Sequence, residues 1–263
     1  VFTIDWWEIE KEDTIGLFGE DNILLSDLVL RMETNNISDC SLVQSSPYVF
    51  RDSLEENEIQ EYLQAGICPA GRVSRVEEQY RNLDTRIISG FDFSARYLVN
   101  SDYGNFNFIV NISKLEKFRQ KAGNDFIELI DAQEKGIIPE ELAITGFSDL
   151  IEKDGSPKIQ ANFKFLWNRG SWGLGLFGRH IGEFYETRNK LSDGRLWKVK
   201  AYNTINTFID YNFKISGSQS NLRFGINNIA DERAPLASDI FGYYIDKHDN
   251  LGRSYYINFI HRY

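Results

Sequence analysis

Hydrophobic and polar positions alternate with a period of two along most of the chain, which is typical of β-strands that present two different faces. At the start, Phe2, Ile4 and Trp6 alternate with Thr3 and Asp5. The same alternation predicts seven further strands, at about residues 86–97, 104–113, 158–168, 171–182, 199–213, 222–229 and 253–263.

The connections between these strands alternate between short and long. Tight turns are predicted near residues 99–104, 169–171 and 214–219, and long loops at about 14–71, 119–156, 184–197 and 230–251. Outer-membrane barrels have short periplasmic turns and long extracellular loops. The pattern therefore predicts an all-β fold, an antiparallel transmembrane β-barrel segment of about eight strands.

In two of the long loops the hydrophobic period changes from two to that of a helix. Short helices are predicted at residues 21–32, 53–63 and 124–135, and Gly66 and Gly136 lie where the second and third of these would stop. After them, residues 72–99 form the longest strand-like stretch.

The last predicted strand has an apolar side formed by Tyr255, Ile257, Phe259, His261 and Tyr263. In a bilayer, an unpaired strand edge would leave N–H and C=O groups without partners, so a membrane strand needs a neighbour on each side. We expect open edges at residues 1–10 and 253–263, unless these two edges pair with each other.

Composition agrees with a barrel. Aromatic residues make up 14% of the chain, with 19 Phe, 13 Tyr and 5 Trp against a single Met, which suits strands with an aromatic girdle. No run of about 18 apolar residues is present, so no transmembrane helix is predicted. The chain begins at Val1 without a signal peptide, and we expect it to be part of a longer protein.

The net charge of −10 is concentrated in the first long loop. Residues 10–66 contain thirteen acids and three bases, while the rest of the chain is balanced. This loop is either an attractant for cationic or metal-bound ligands or, as we favour, an ordinary solvated surface. Nucleic acid is disfavoured as a partner, because the sequence contains no basic stripe, and we expect none.

Cys40 and Cys68 are the only cysteines, and both lie in the first long loop. A single pair favours one disulfide in an exported protein over two unpaired thiols.

Candidate catalytic and metal chemistry is absent from the sequence pattern. His180, His248 and His261 stand at no metal-ligand spacing, and we expect the IDKHDN loop around His248 to be a solvated turn rather than a cation site. Ser, His and Asp do not cluster as a nucleophile, base and orienter would. We therefore predict no enzyme activity, metal or cofactor.

Two sets of residues are candidates for contacts inside and above a barrel. Polar residues predicted to face the lumen are Arg86, Asp92, Arg96, Lys158, Lys164, Asn206, Asp210, Asn227 and Arg262. Loop aromatics whose flat rings suit sugars or siderophores are Phe184, Tyr185, Trp197, Tyr243 and Tyr244, although loop packing or the membrane girdle explains them equally well.

Several motifs resemble those of the TonB-dependent outer-membrane receptors. They are DWWEIEKEDTIGLFG, VEEQYRNLDTRIISGFDFSARY, KIQANFKFLWNRGSW and the C-terminal NNIADERAPL, GR and terminal aromatic. The resemblance implies a barrel of about twenty-two strands filled by an N-terminal plug. It also implies a Gram-negative outer-membrane location and uptake of a scarce ligand such as a siderophore, vitamin or oligosaccharide, driven by the TonB complex.

The resemblance covers only the C-terminal barrel strands of such a receptor. Expected partners are thus the plug and remaining strands, the TonB complex acting through the plug, the barrel assembly machinery, the lipid bilayer and a small-molecule ligand. Tyr255, Ile257, Phe259 and Tyr263 would form the assembly signal, with Tyr263 in place of the more common Phe. The alternatives are a self-closed eight-stranded porin or adhesin and, less favoured, an outer-membrane enzyme.

Overall fold

Eight long strands form the main sheet of the computed structural model, which describes residues 1–262 except for the side chain of Asn189. Their order in the sheet follows their order in the chain. The strands are β1 (Phe2–Lys11), β6 (Arg86–Ser101), β7 (Gly104–Gln120), β9 (Ile159–Arg169), β10 (Trp172–Ile181), β13 (Tyr202–Ile215), β14 (Ser218–Asn227) and β15 (Ser254–His261).

The pairings from β7 to β15 are antiparallel, as the alternation of short and long connections predicts. Between β13 and β14 the pair Ile215 and Ser218 leaves a two-residue turn. Ser216 and Gly217 in this turn have φ values of 50° and 86°, the combination that a type I′ turn requires. Strands β1 and β15 lie at the two ends of the sheet, which confirms the two predicted edges.

The register sorts the alternating residues onto two faces. One side of the strands, the apolar face, carries Phe106, Phe108, Val110, Phe163, Phe165, Trp167, Leu174, Leu176, Ile209, Tyr211, Leu222, Phe224, Ile257 and Phe259. The other side, the polar face, carries Asn105, Asn111, Ser113, Gln160, Asn162, Lys164, Arg179, Asn206, Asp210, Arg223, Asn227 and Asn258.

The apolar face is open over much of its area. Ile257 is 74% exposed, Tyr255 62% and Phe259 55%, and on the first strand Ile4 is 65% exposed. Water-soluble proteins rarely expose a contiguous apolar surface of this extent. The face is suited to contact with lipid.

The long connections contain their own secondary structure. Helices are α1 (Glu20–Glu33), α2 (Glu56–Gln64) and α3 (Asn124–Glu134), with a 3₁₀ turn at Cys40–Leu42. Three two-stranded sheets pair β2 (Ile15–Leu17) with β5 (Tyr80–Asn82), β3 (Val49–Arg51) with β4 (Val73–Val76), and β11 (Phe184–Lys190) with β12 (Leu196–Val199). The two-residue strand β8 (Ser148–Asp149) pairs with β7.

Two sequence predictions change here. Residues 72–99 are not one long strand but parts of β4, β5 and β6. Asp84 interrupts the stretch before β6, because its φ of 71° lies in the left-handed region rather than the β region. Residues 184–197, predicted as a loop, form most of the β11–β12 ribbon.

The chain divides into two compact units. The first comprises residues 1–9, 88–118 and 151–263, and contains most of the main sheet; the second comprises residues 10–87 and 119–150. The second unit has a hydrophobic core of Phe18, Ile23, Leu25, Val49, Leu83, Phe126, Leu129, Ala132 and Ile138.

Among the described residues, no helix is long and apolar enough to cross a bilayer.

The second unit also contains a disulfide and a buried ion pair. Cys40 and Cys68 are joined, with their Cα atoms 5.5 Å apart. Asp27 is fully buried; its carboxylate accepts hydrogen bonds from the Arg51 guanidinium at 2.7 Å and from the Ser46 N–H at 2.7 Å. Burying a carboxylate is tolerated only with such partners.

Candidate functional site

The predicted lumen-facing residues in the main sheet lie together on the polar face. The register places Lys164, Asn206, Asp210 and Asn227 there, and Arg262 continues the alternation of β15. Asp92 joins them through a hydrogen bond from the Ser113 hydroxyl, and Arg96 lies two positions beyond Ser94, which bonds Asn111 at 2.9 Å. Whether this face borders a channel stays a prediction.

The two remaining residues of that set lie at strand ends. Lys158 precedes β9, and its carbonyl accepts from the Leu115 N–H at 2.9 Å. Arg86 begins β6 in the second unit, where its Nε donates to the Gln120 side chain at 2.9 Å. Their contact with a lumen also stays a prediction.

A ladder of polar contacts crosses the polar face from strand to strand. Asn111 donates to Asn162 at 2.9 Å, Asn221 to Asn212 at 2.9 Å, and Arg223 to the Asp210 carboxylate at 2.7 Å. The Arg223 guanidinium also lies 3.7 Å from the centre of the Phe208 ring. These contacts pair charges and amides between neighbouring strands.

A polar cleft of about 290 Å³ opens where this face meets the loop formed by residues 228–253. Two of the predicted lumen residues, Asn206 and Asn227, line it. Its other polar side chains include Arg179, Thr204, Asp249 and Ser254. The cleft offers both donors and acceptors to a polar ligand.

Beside the cleft, the β11–β12 ribbon, the first residue of β13 and the 228–253 loop share a small buried core, here called the loop core. It contains Phe184, Val199, Tyr202 and His248, which are 0–4% exposed, and the ring of Tyr244. Phe184 meets Tyr244 edge to face, with ring centres 5.0 Å apart, and stacks parallel to His248 at 6.1 Å. The Tyr202 hydroxyl donates to the Asp249 carbonyl at 2.6 Å.

The five candidate ligand aromatics do not converge. Phe184 is fully buried in the loop core and has no surface to offer a ligand, so it acts in loop packing. In the β11–β12 register Glu186 pairs with Trp197 and Tyr185 with Lys198, which places Tyr185 and Trp197 on opposite faces of the ribbon. Trp197 is 36% exposed and its indole N–H donates to the Leu236 carbonyl at 3.0 Å.

Tyr243 and Tyr244 are both half-buried, and Tyr244 packs inward. Burial, together with the nearby carboxylates of Glu186 and Asp154, raises the pKa of Tyr244 well above its ordinary value. Its hydroxyl therefore stays protonated at any physiological pH. Tyr185, Trp197 and Tyr243 remain the candidates with accessible surface.

The motif NNIADER closes the base of the 228–253 loop. Asn228, with φ at 52°, donates through its side chain to the Glu232 carbonyl at 2.8 Å and accepts from the Glu232 N–H at 2.9 Å. Asp231 accepts from the Arg253 N–H at 2.7 Å, and this hydrogen bond lowers the pKa of its carboxyl. The motif thus ties the two ends of the loop together.

A buried carboxylate anchors the tip of the same loop. Glu186 is 3% exposed and accepts from the Ser238 N–H at 2.8 Å. The sequence did not predict this contact, because the side chain of a Glu in a predicted loop is expected to be exposed to water. The alternation of Phe184 and Glu186 on one ribbon face is the signal that could have found it.

The histidines form no metal site. Among the described residues, no group of three or more His, Cys, Asp or Glu side chains could hold a metal ion. His180 bonds Asn203 at 2.7 Å and His261 bonds Ser220 at 2.9 Å. The prediction of a solvated turn around His248 is wrong, because its side chain lies in the loop core.

The charge asymmetry follows the two units. The second unit has 23 acidic and 10 basic residues, whereas the first has 16 acidic and 19 basic residues. The acidic excess therefore includes residues 119–150 as well as the first long loop. Attraction of a cationic ligand to this surface stays a prediction.

The proposed assembly signal lies on the apolar face at the β15 edge. Tyr255, Ile257 and Phe259 pair with Ile226, Phe224 and Leu222 of β14 and remain more than half exposed. Tyr263 lies outside the described residues.

Comparison with known proteins gives the family. The family model described as TonB dependent receptor-like, beta-barrel, matches residues 2–229. The chain belongs to this family. TonB-dependent receptors of this kind are outer-membrane transport proteins rather than enzymes.

Two solved structures are similar to this chain. The siderophore receptor PirA from Acinetobacter baumannii is 15% identical with a TM-score of 0.49, and the match covers 98% of this chain and 29% of PirA. A mutant of the ferric enterobactin receptor PfeA from Pseudomonas aeruginosa is 14% identical with a TM-score of 0.43, covering 70% of this chain and 23% of PfeA. This chain thus spans less than a third of either receptor, and no curated protein sequence matches it.

Proposed function

We propose that the chain forms part of the barrel of an active transporter in the outer membrane of a Gram-negative bacterium. The observation that carries this proposal is the main sheet, which has an open apolar face and a hydrogen-bonded polar face, and seven of whose eight strands lie within the TonB-dependent receptor match. One face suits lipid and the other suits water, as in a barrel wall.

The ligand of this transporter is proposed to be a scarce small molecule such as a siderophore, vitamin or oligosaccharide. The accessible aromatics Tyr185, Trp197 and Tyr243 and the polar cleft beside the loop core support a ligand with both flat and polar surfaces. Uptake would require the remaining barrel strands, a plug and the TonB complex, and insertion would require the barrel assembly machinery.

A self-closed porin or adhesin is the second candidate. Closure of these eight strands would need β1 to pair with β15. Within the described residues these two strands stand at opposite ends of the sheet. This arrangement favours a wall that continues into further strands.

The decisive experiment measures uptake by the full-length protein that contains this chain. Cells that lack it, supplied with one scarce ligand at a time, should lose accumulation of one ligand class, and a protonophore should abolish the uptake seen in wild-type cells. Uptake that persists with the protonophore would indicate passive flow and contradict the proposal. Stable channels formed by the purified chain alone in a planar bilayer would instead support the self-closed barrel.

Binding by the loops is tested with two matched aromatic truncations. Trp197→Ala should raise the ligand concentration for half-maximal uptake about tenfold, since interface aromatics often contribute that much. Tyr103→Ala is the control, because Tyr103 is 75% exposed in the short β6–β7 turn, and the contact it makes with Trp167 uses its backbone carbonyl. Equal effects of the two substitutions would exclude Trp197 from the ligand site.

A further inference from the structure

His248 is a buried titratable residue to which the proposed transport function gives no role. Its side chain is 4% exposed, and within residues 1–262 neither ring nitrogen has a hydrogen-bond partner. The ring stacks parallel to Phe184 at 6.1 Å, with 3° between the planes, and meets Tyr202 edge to face at 5.2 Å. The site therefore accepts a neutral imidazole and offers an imidazolium no acceptor for either N–H.

The charges around the ring also affect the free-energy cost of protonating His248 in the loop core. Arg179 of β10 and Lys247 repel a positive imidazole, whereas Asp246 attracts it. From the ribbon, the apolar ring of Phe184 packs against the His248 ring. From β13, the Tyr202 hydroxyl already donates a hydrogen bond to the Asp249 carbonyl. The Tyr244 hydroxyl stays protonated and therefore carries no negative charge. The Glu186 carboxylate already accepts a hydrogen bond from the Ser238 N–H.

The backbone turn that carries His248 depends on the same core. The N–H groups of Lys247 and His248 both donate to the Tyr244 carbonyl, at 3.2 and 2.8 Å. Tyr244 packs on Phe184, and Asp249 is held by Tyr202. Expulsion of the imidazole would remove the central packing of this turn, and Asp249 also lines the polar cleft.

We propose that protonation of His248 releases residues 243–250 from the loop core, so that this part of the loop is closed at neutral pH and opens the polar cleft under mildly acidic conditions. The inference concerns regulation and does not depend on the identity of the transported ligand. The neighbours that exclude the charged ring are all within the first unit.

The direction of the pH effect follows from linkage. Burial, followed by the repulsion from Arg179, lowers the pKa of His248 in the closed loop. A group whose pKa is lower in the closed state stabilises that state fully above the pKa of the open state, about 6.5, and progressively less as the pH falls below it. The window of opening is therefore the range immediately below about pH 6.5.

The test is hydrogen exchange of the peptide covering residues 243–250 in the membrane-inserted full-length protein, corrected for the intrinsic pH dependence of exchange. Between pH 8 and pH 5 the wild-type protection factor should fall about tenfold, because the closed loop loses the stability that depends on a neutral imidazole. In His248→Phe, which keeps an aromatic ring without titration, protection should stay within about twofold. Wild-type protection that does not change, or His248→Phe that retains the full change, would overturn the proposal.

Two further variants distinguish a pH-dependent opening of the loop from a general folding defect. His180→Phe removes a histidine of the same unit that contacts Asn203 outside the loop core, and it should keep the wild-type pH response. Arg179→Gln leaves the aromatic packing in place and weakens the repulsion of the imidazolium, so the loss of protection at pH 5 should be smaller than in the wild type. If Arg179→Gln increased that loss, the charge argument would be wrong.

Discussion

Asn22 illustrates how one side-chain amide holds together two segments that are far apart in the chain. It is 1% exposed, and its NH₂ group donates to the Phe18 carbonyl at 2.6 Å and to the Thr145 carbonyl at 2.9 Å. Its oxygen accepts from the Thr145 N–H at 3.3 Å. Each half of the amide thus has the partner that its chemistry needs.

Asn22→Asp should destabilise the second unit by roughly 2 kcal/mol or more, because a carboxylate would face two carbonyl oxygens in a buried site. The measurement is native-state proteolysis of the intact protein at residues 119–150, whose rate reports the free energy of local opening. Cleavage should accelerate by more than tenfold at constant protease concentration.

Asn36→Asp is the matched control for that substitution. Asn36 is exposed, and its side-chain oxygen accepts from the Ser38 N–H at 3.2 Å, a role that a carboxylate keeps. The change in stability should stay within about 0.5 kcal/mol. If both variants accelerated proteolysis equally, added charge rather than the buried amide would be responsible.

At the scale of elements, the β10–β13 pair depends on a glycine that makes room for an aromatic ring. Gly175 lies opposite Phe208, and a Cβ atom on Gly175 would stand 2.2 Å from the Phe208 ring. The same ring is covered by the Arg223 guanidinium, which also binds Asp210. A small residue beside a large one fills the space between strands without a clash.

Gly175→Ala should therefore destabilise the sheet by about 1–3 kcal/mol through overpacking. In Phe208→Ala the same methyl group meets no ring, so the double variant should be more stable than the sum of the two single effects predicts. Urea unfolding in lipid vesicles, followed by intrinsic tryptophan fluorescence, measures the stability of all four proteins of the cycle. Strict additivity would show that the ring does not occupy the space above Gly175.

The elements also show which features local sequence could predict. Alternation predicted the strands and their faces because each long strand has an apolar side and a polar side, and the helical period predicted α1 to within about one residue at each end. The ribbon was missed because its two strands have seven and four residues and a register irregularity between Glu186 and Lys190.

The loop core could not be predicted for a different reason. In IDKHDN the neighbours of His248 are charged, so local sequence indicates a solvated turn. Its burial depends on Phe184 and Tyr202, which are distant in the chain. Likewise, only the β11–β12 register decides that Tyr185 and Trp197 face opposite ways.

At the scale of the whole molecule, the chain combines a membrane wall with water-exposed modules. The first unit exposes the apolar face of the sheet, whereas the second unit has a buried hydrophobic core, a disulfide and most of the acidic charge. The two units therefore suit different surroundings. The apolar face of the first unit suits lipid, whereas the second unit buries apolar residues in a core of its own. Assembly should accordingly depend on the sheet's apolar face more than on its polar face.

Strand β15 offers a direct test of that difference, because two neighbouring residues lie on its two faces. Phe259 is on the apolar face opposite Leu222, and Asn258 is on the polar face opposite Arg223. Phe259→Asp places a charge where lipid is expected and should cost about 2 kcal/mol in addition to the lost aromatic contact. Outer-membrane levels of the full-length protein should fall severalfold, measured by immunoblotting of membrane fractions with and without heating.

Asn258→Asp introduces the same charge one residue away and should leave those levels unchanged, since its carboxylate would point toward water and the Arg223 guanidinium. The comparison separates the effect of the face from the effect of charge on the strand as such. Normal levels of Phe259→Asp would mean that the apolar face does not contact lipid. A loss in both variants would mean that β15 tolerates no added charge on either face, and the assignment of its two faces would have to be abandoned.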